Sequence, residues 1–279
     1  MKKSIVMLMA CVFMAHAGFI KEGMEAKESG DHKKLVEIYE QACNEGKASG
    51  CYNLGVLYVE GTGNVERNYE KASKLYQKAC DNNFSSACYN LGVLYTEGKG
   101  VKQDYVKASQ LYDKACADND STGCTNLGLL YVEGKGVKQD FTKAGQLYEK
   151  ACNDSDLVAC SNLGYLYADG KGVKQDTKKA KELYEKACDA NVSVGCDNLG
   201  LLYSEGKGVN QNYKKASEFY EKACQNGYTK GCNNLAILYA EGKGVSVDNK
   251  KAKELFKSSC DSGLQIGCDN AKFLDSITK

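Results

Sequence analysis

The chain of 279 residues has no proline, no tryptophan and only two histidines, His16 and His32. So few imidazoles leave little room for a histidine-built metal centre or for histidine acid–base chemistry. No charge of one sign dominates: the formal net charge is +1, which gives no basic field for nucleic acid. C-x-x-C, the spacing of redox catalysts, does not occur. Linkers, charge blocks and low-complexity tracts are also missing.

What the chain does have is repetition. CYNLGVLYTEGKGVKQDYVKASQLYDKAC (Cys88 to Cys116) returns as CTNLGLLYVEGKGVKQDFTKAGQLYEKAC (Cys124 to Cys152), and again from Cys160, Cys196 and Cys232. A catalytic pocket needs different residues meeting once, whereas a repeated string builds one surface many times along a line.

The N-terminus reads as an address. Lys2 and Lys3 precede the apolar run IVMLMACVFM, and Ala15-His16-Ala17 fits a small-x-small cleavage site. Residues 1–17 are therefore expected to be a secretory signal peptide, too short for a membrane span, with the mature chain secreted or periplasmic. Leu8-Met9-Ala10-Cys11 supplies the rival reading of a lipoprotein anchored at Cys11.

Beyond the leader, fourteen cysteines form seven pairs, each eight residues apart: Cys43/Cys51, Cys80/Cys88, Cys116/Cys124, Cys152/Cys160, Cys188/Cys196, Cys224/Cys232 and Cys260/Cys268. Successive pairs recur every 36 residues, except for 37 between the first two, where Asn64 lengthens a turn. In an exported chain this spacing reads as disulfides within each pair. Zinc knuckles take closer ligands and usually add histidine, so no metal or cofactor is expected.

Within a repeat, Cys88, Leu91, Gly92, Leu94 and Tyr95 form a helical apolar stripe ended by Gly98 and the turn GKGV. Asp104 then caps a second helix carrying Ala108, Leu111, Tyr112, Ala115 and Cys116; Asn68, Asp140, Asp176, Asn212 and Asp248 take the same place. Each unit is helix A, turn, helix B, with the disulfide stapling helix B to the start of the next helix A. Recurrent Gly55, Gly92, Gly128, Gly164, Gly200 and Ala236 mark close packing in helix A. The expected organisation is all-α: an N-terminal capping helix pair over 18–50, six repeats over 51–267 and a C-terminal capping helix over 268–279.

The string N-L-G-x-L-Y-x-x-G-x-G-V, a polar cap, then K-A and L-Y-x-K-A resembles the Sel1-like repeat, a relative of the tetratricopeptide repeat. With paired cysteines and a leader, the chain is similar to the Helicobacter cysteine-rich proteins. The resemblance covers nearly all of the mature chain and implies a right-handed α-solenoid acting as a protein-binding scaffold. For this family it also implies a penicillin-binding or weak β-lactamase label, with a β-lactam or peptidoglycan-like small molecule as ligand.

The residues give that label little support. Serine β-lactamases use S-x-x-K, S-D-N and K-T-G. Only Ser204-Glu205-Gly206-Lys207 and Ser276-Ile277-Thr278-Lys279 fit the first pattern, and the other two are absent. GKG lacks the G-x4-G-K-[ST] frame of a phosphate loop. Tyr58, Tyr95, Tyr131, Tyr167, Tyr203 and Tyr239 lie on the core stripe and read as packing.

One further series runs through helix A. Two residues after the second cysteine of each pair stands Asn53, Asn90, Asn126, Asn162, Asn198, Asn234 or Asn270. Three residues on come Val56, Val93, Leu129, Tyr165, Leu201 and Ile237; four further on come Glu60, Glu97, Glu133, Asp169, Glu205 and Glu241. In a TPR-like solenoid this face lines the concave groove. Two readings stand: the amides fix neighbouring repeats to one another, or they clamp an extended peptide of host or cell-envelope origin while the apolar row and Tyr52/Tyr89 select side chains. The variable residues just after the cysteine (Tyr52, Tyr89, Thr125, Ser161, Asp197, Asn233) fit a binding surface or plain solvent exposure.

Overall fold

The computed structural model describes residues 18–19, 21–62 and 65–278. The leader with Cys11, and Asn64 in the first long turn, lie outside them. The described chain is helical throughout, without strands, and divides into two compact units, Met1–Gln139 and Asp140–Lys279.

The first unit holds α1 (21–28), α2 (His32–Asn44), α3 (Ala48–Glu60), α4 (Tyr69–Asp81), α5 (Ser85–Glu97), α6 (Tyr105–Ala117) and α7 (Ser121–Glu133). The second holds α8 (Phe141–Asn153), α9 (Leu157–Asp169), α10 (Thr177–Asp189), α11 (Ser193–Glu205), α12 (Tyr213–Gln225), α13 (Thr229–Glu241), α14 (Asn249–Asp261) and α15 (Gln265–Ile277). Odd-numbered helices from α3 onward are helix A, and even-numbered ones from α4 are helix B. Each A helix begins three residues before its cysteine, so the cysteine sits in the first turn rather than at the start. Polar lead-ins such as Ser121-Thr122-Gly123 form that turn, capped where Asp120 accepts from Gly123 N–H at 3.0 Å.

Both long-turn ends are closed by side chains next to each other in sequence. Asp104 accepts from the Val106 and Lys107 amides at 3.0 Å, starting helix B. The preceding Gln103 donates from Nε2 to the Thr96 carbonyl at 2.8 Å, finishing helix A. Gln175/Asp176 repeat this at 2.8 and 2.9 Å, and Gln211/Asn212 at 2.9 and 2.9 Å. The second glycine of GKG is required twice over. Gly100 has φ +67°, and a Cβ there would strike the backbone of Tyr69 in the previous helix B; Gly172 stands likewise against Phe141.

The short bend is a Schellman motif in every repeat. In the first unit, Phe84 N–H donates to the Ala79 carbonyl (3.1 Å) and Asn83 N–H to the Cys80 carbonyl (2.9 Å). Seven disulfides close these bends, joining the pairs Cys43–Cys51, Cys80–Cys88, Cys116–Cys124, Cys152–Cys160, Cys188–Cys196, Cys224–Cys232 and Cys260–Cys268. The first cysteine's carbonyl also accepts from the next repeat's lysine: Lys78 on Cys43 at 2.8 Å, Lys114 on Cys80 at 2.6 Å and Lys186 on Cys152 at 3.3 Å. This gives the lysine of the K-A-C string a structural task in those repeats.

The core forms where a helix-B tyrosine lies on a helix-A glycine. A Cβ on Gly55 would sit 2.7 Å from the Tyr76 ring, on Gly92 2.6 Å from Tyr112, on Gly164 2.7 Å from Tyr184 and on Gly200 2.7 Å from Tyr220. The helix glycines therefore admit a ring, which offsets their low propensity. In the last repeat the pair becomes Ala236 and Phe256, both buried in one cluster.

Two stability predictions follow from the bends. The left-handed residue is Asn83, Asn119, Asn191 or a glycine in six of them, but Ser155 (φ 69°) in one. Ser155→Gly should raise stability by about 1 kcal/mol in urea unfolding, by removing the cost of a side chain at positive φ. Replacing Cys152 and Cys160 together by alanine should lower it by about 2–3 kcal/mol under oxidising conditions and leave the reduced protein nearly unchanged.

Candidate functional site

The expected helix-A face is present in each unit. In the first, Asn53, Asn90 and Asn126 are half-buried, as are Val56 and Val93, while Leu129 is 42 % exposed. In the second, Asn162, Asn198 and Asn234 are half-buried, Tyr165 is 38 % and Leu201 40 % exposed, and Ile237 is half-buried. The amide row is half sunk and the apolar row emerges beyond it.

The acidic row belongs to the turns. Glu97 pairs with Lys99 at 2.9 Å, Glu133 with Lys135 at 2.9 Å, Asp169 with Lys171 at 2.9 Å, Glu205 with Lys207 at 2.6 Å and Glu241 with Lys243 at 2.8 Å. Such exposed pairs contribute little stability, but they cancel the charge of that row. They also use the lysine of GKG for a purpose other than phosphate.

The variable residues after the cysteine are not solvent-exposed. Thr125, Ser161, Asp197 and Asn233 are buried, and Tyr52 and Tyr89 are half-buried against Tyr76, Phe84 and Tyr112 with ring centroids 4.9–5.9 Å apart. In the second unit the reason is geometric: α9, α11 and α13 pack side by side, and this position lies in their seam. The neighbouring asparagine reaches into it. Asn234 Nδ2 donates to Asp197 Oδ1 at 2.9 Å, and Asn270 Nδ2 to Asn233 Oδ1 at 3.0 Å. Asn90 instead bonds the Tyr76 hydroxyl, and Asn126 donates to the Thr122 carbonyl of its own helix at 2.9 Å. The asparagines thus have a structural part in these repeats, and it differs from one to another.

The helix-A tyrosines pack, as their stripe implies, and each of five carries a lysine over its ring. Lys71 lies 5.0 Å from the centroid of Tyr58, Lys107 5.2 Å from Tyr95, Lys179 4.3 Å from Tyr167, Lys215 5.1 Å from Tyr203 and Lys251 4.3 Å from Tyr239. Burial pushes the hydroxyls of Tyr112 and Tyr220 up to about 12. Hydrogen bonds donated by the ammonium groups to the Tyr167 and Tyr239 hydroxyls also hold Lys179 and Lys251 above the ordinary lysine value. Neither group is a base at neutral pH. Ser204 Oγ bonds the Leu201 carbonyl (3.0 Å) and the Tyr220 hydroxyl (3.1 Å), while Lys207 pairs with Glu205, so the serine and lysine of S-E-G-K do not activate one another. Ser276 bonds the Phe273 carbonyl, and Lys279 lies outside the described residues.

A hollow of about 450 Å³ between α2 and the first long turn is lined by His32, Lys33, Val36, Tyr58 and Lys71 among others. His32 Nδ1 is sealed without a partner. Among the described residues that line the hollow there is no serine, threonine or cysteine to pair with the imidazole.

Asp197 is the titratable group with a useful handle. Burial raises its carboxyl from 3.8 to about 6, against the lowering effects of Asn234 and Lys230. The folded chain therefore holds this proton more tightly than the unfolded chain, so its contribution is fully present below pH 4 and is lost as pH rises from 4 to 6. Asp197→Asn, which copies Asn233, should leave stability unchanged near pH 4. It should raise stability by about 3 kcal/mol at pH 7.5 relative to the parent chain, read from paired urea titrations across that range.

Comparison with known proteins follows this geometry. The model of the Sel1 repeat matches residues 48–84, 85–120, 121–156, 157–192, 193–228 and 229–264. A Sel1 repeat protein from Oxalobacter formigenes superposes with TM-score 0.77 at 26 % identity, covering 85 % of this chain and 94 % of that one. The protein c5321, a protective antigen of uropathogenic Escherichia coli with an SLR fold, gives TM-score 0.74 at 30 % identity over 86 % of this chain; the chain spans 51 % of its length. A Helicobacter pylori protein named "Putative beta-lactamase HcpE" is 38 % identical over 45 residues, 16 % of this chain and 13 % of its own length. That match agrees with the likeness to the cysteine-rich Helicobacter proteins. No helix among the described residues is long and apolar enough to cross a membrane. With six consecutive matches covering most of its length, the chain belongs to the Sel1 repeat family.

Proposed function

We propose that the chain is an exported, disulfide-stapled scaffold that binds a protein or peptide along the exposed face of its A helices. The observation that carries this reading is the apolar row in constant register: Leu129 in the first unit, and Tyr165 and Leu201 in the second, all exposed on rigid helices beside half-buried amides. Large apolar side chains kept in water at the same repeat position suit contact with a partner. Seven disulfides fit an oxidising compartment, which agrees with the leader expected over residues 1–17. The β-lactamase name of the Helicobacter relative is not carried over, because Ser204 and Lys207 are each engaged elsewhere.

The test is photocrosslinking from position 201 of the oxidised chain in cell-envelope and host extracts. A partner captured there, and lost when Tyr165→Ala is added without a change in thermal midpoint, is the expected result. Capture only from the opposite surface of the B helices would overturn the reading. A chromogenic cephalosporin turned over by pure protein, and abolished by one substitution on the A face, would do so as well.

A further inference from the structure

Asn233 and Asp197 hold equivalent places one repeat apart, and each accepts a hydrogen bond from the asparagine of the next A helix, Asn270 at 3.0 Å and Asn234 at 2.9 Å. The neutral amide of Asn233 therefore performs the whole structural task. Asp197 adds only a charge, in a place where charge is costly: the residue is 7 % exposed and makes no ion pair among the described residues. Serine and threonine at the two preceding equivalents, Ser161 and Thr125, show that the seam does not require an acid.

The carboxylate is also only half satisfied. Oδ1 takes the Asn234 bond, while Oδ2 accepts no hydrogen bond and is not sealed; the sealed, unpartnered side-chain polar atoms are His32 Nδ1 and Ser161 Oγ. Asp197 lies next to Asn198 and one helical turn before the exposed Leu201, on the face proposed to bind. The groups around it are Asn234, Lys230, which lowers its carboxyl pKa from a distance, and the phenols of Tyr220 and Tyr228. The acids further along the face, Glu205 and Glu241, are already paired with Lys207 and Lys243. On this part of the face Asp197 is thus an acid with no cation in contact, Lys230 acting on it only through space.

We infer that Asp197 is the docking point for one cationic side chain, a lysine ammonium or an arginine guanidinium, of the bound peptide, whose apolar neighbour lies against Leu201. This rests on the peptide-binding reading above and names the ligand chemistry for one repeat. A cation at Oδ2 supplies the partner that the fold withholds, and a buried charged pair of this kind discriminates strongly against a neutral side chain. Because burial holds the free carboxyl near pH 6, ligand binding at that pH should release a proton.

The test uses the oxidised full chain and a positional-scanning library of N-acetylated, C-amidated decamers, so that every cation is a side chain. Fixing lysine or arginine at one position should raise binding at least ten-fold over glutamine or norleucine, with weaker binding at pH 5 than at pH 7.5. Asp197→Asn should remove that preference alone and leave the apolar preferences intact. Asn233→Asp should add a second basic preference further along the peptide. Decamers that bind with no basic preference, or a preference that survives Asp197→Asn, would overturn this inference and leave the binding face standing. If no decamer binds at all, both readings fall.

Discussion

Thirteen-residue helices, about 20 Å long, are marginal in water on their own. Everything in this chain depends on holding each one against its neighbours at both ends. At one end the bend is a left-handed residue in a Schellman motif, covalently closed by a disulfide and clipped in several repeats by a lysine from the next repeat. At the other, a glutamine and an aspartate finish one helix and begin the next, while the second glycine of GKG lies against the previous helix B. The tyrosine-on-glycine contact then fills the space between. No contact needs a partner far away in sequence, so the same solution repeats.

Much of this is legible in the residues because each element has a local cause. Asp104 and its equivalents mark helix starts since a side-chain oxygen must meet free amides, and the structure places them there. The cysteine pairing is expected from the eight-residue spacing taken together with the leader, and the seven disulfides match it. The seam between A helices was not legible: a residue just after a cysteine looks solvent-facing on a single helical wheel, and in the second unit the packing of α9, α11 and α13 buries Ser161 and Asp197. The helix-A start was misplaced by three residues for a similar reason, since Ser121-Thr122-Gly123 reads as loop until Asp120 is seen to cap it. Nor could spacing show that the acids of the outer row are neutralised by the turn lysines two residues on.

The separation of tasks bears on function. Bends, turns and core use residues that hardly vary, and the exposed row next to the asparagines varies from Val93 to Leu129 within the first unit and from Tyr165 to Leu201 within the second. A frame that specifies itself locally leaves those side chains free to change without loss of fold. Asp197 is the exception, a residue inside the frame whose chemistry exceeds what the frame requires.

The position of the bridges has a consequence for cleavage. Each one spans a bend, not a GKG turn, so a protease that cuts between Cys116 and Cys124 leaves its two fragments covalently tethered. A cut in a GKG turn severs the chain into pieces that only packing retains. In a compartment rich in proteases, the bends between paired cysteines are thus the tolerant sites and the glycine turns the vulnerable ones.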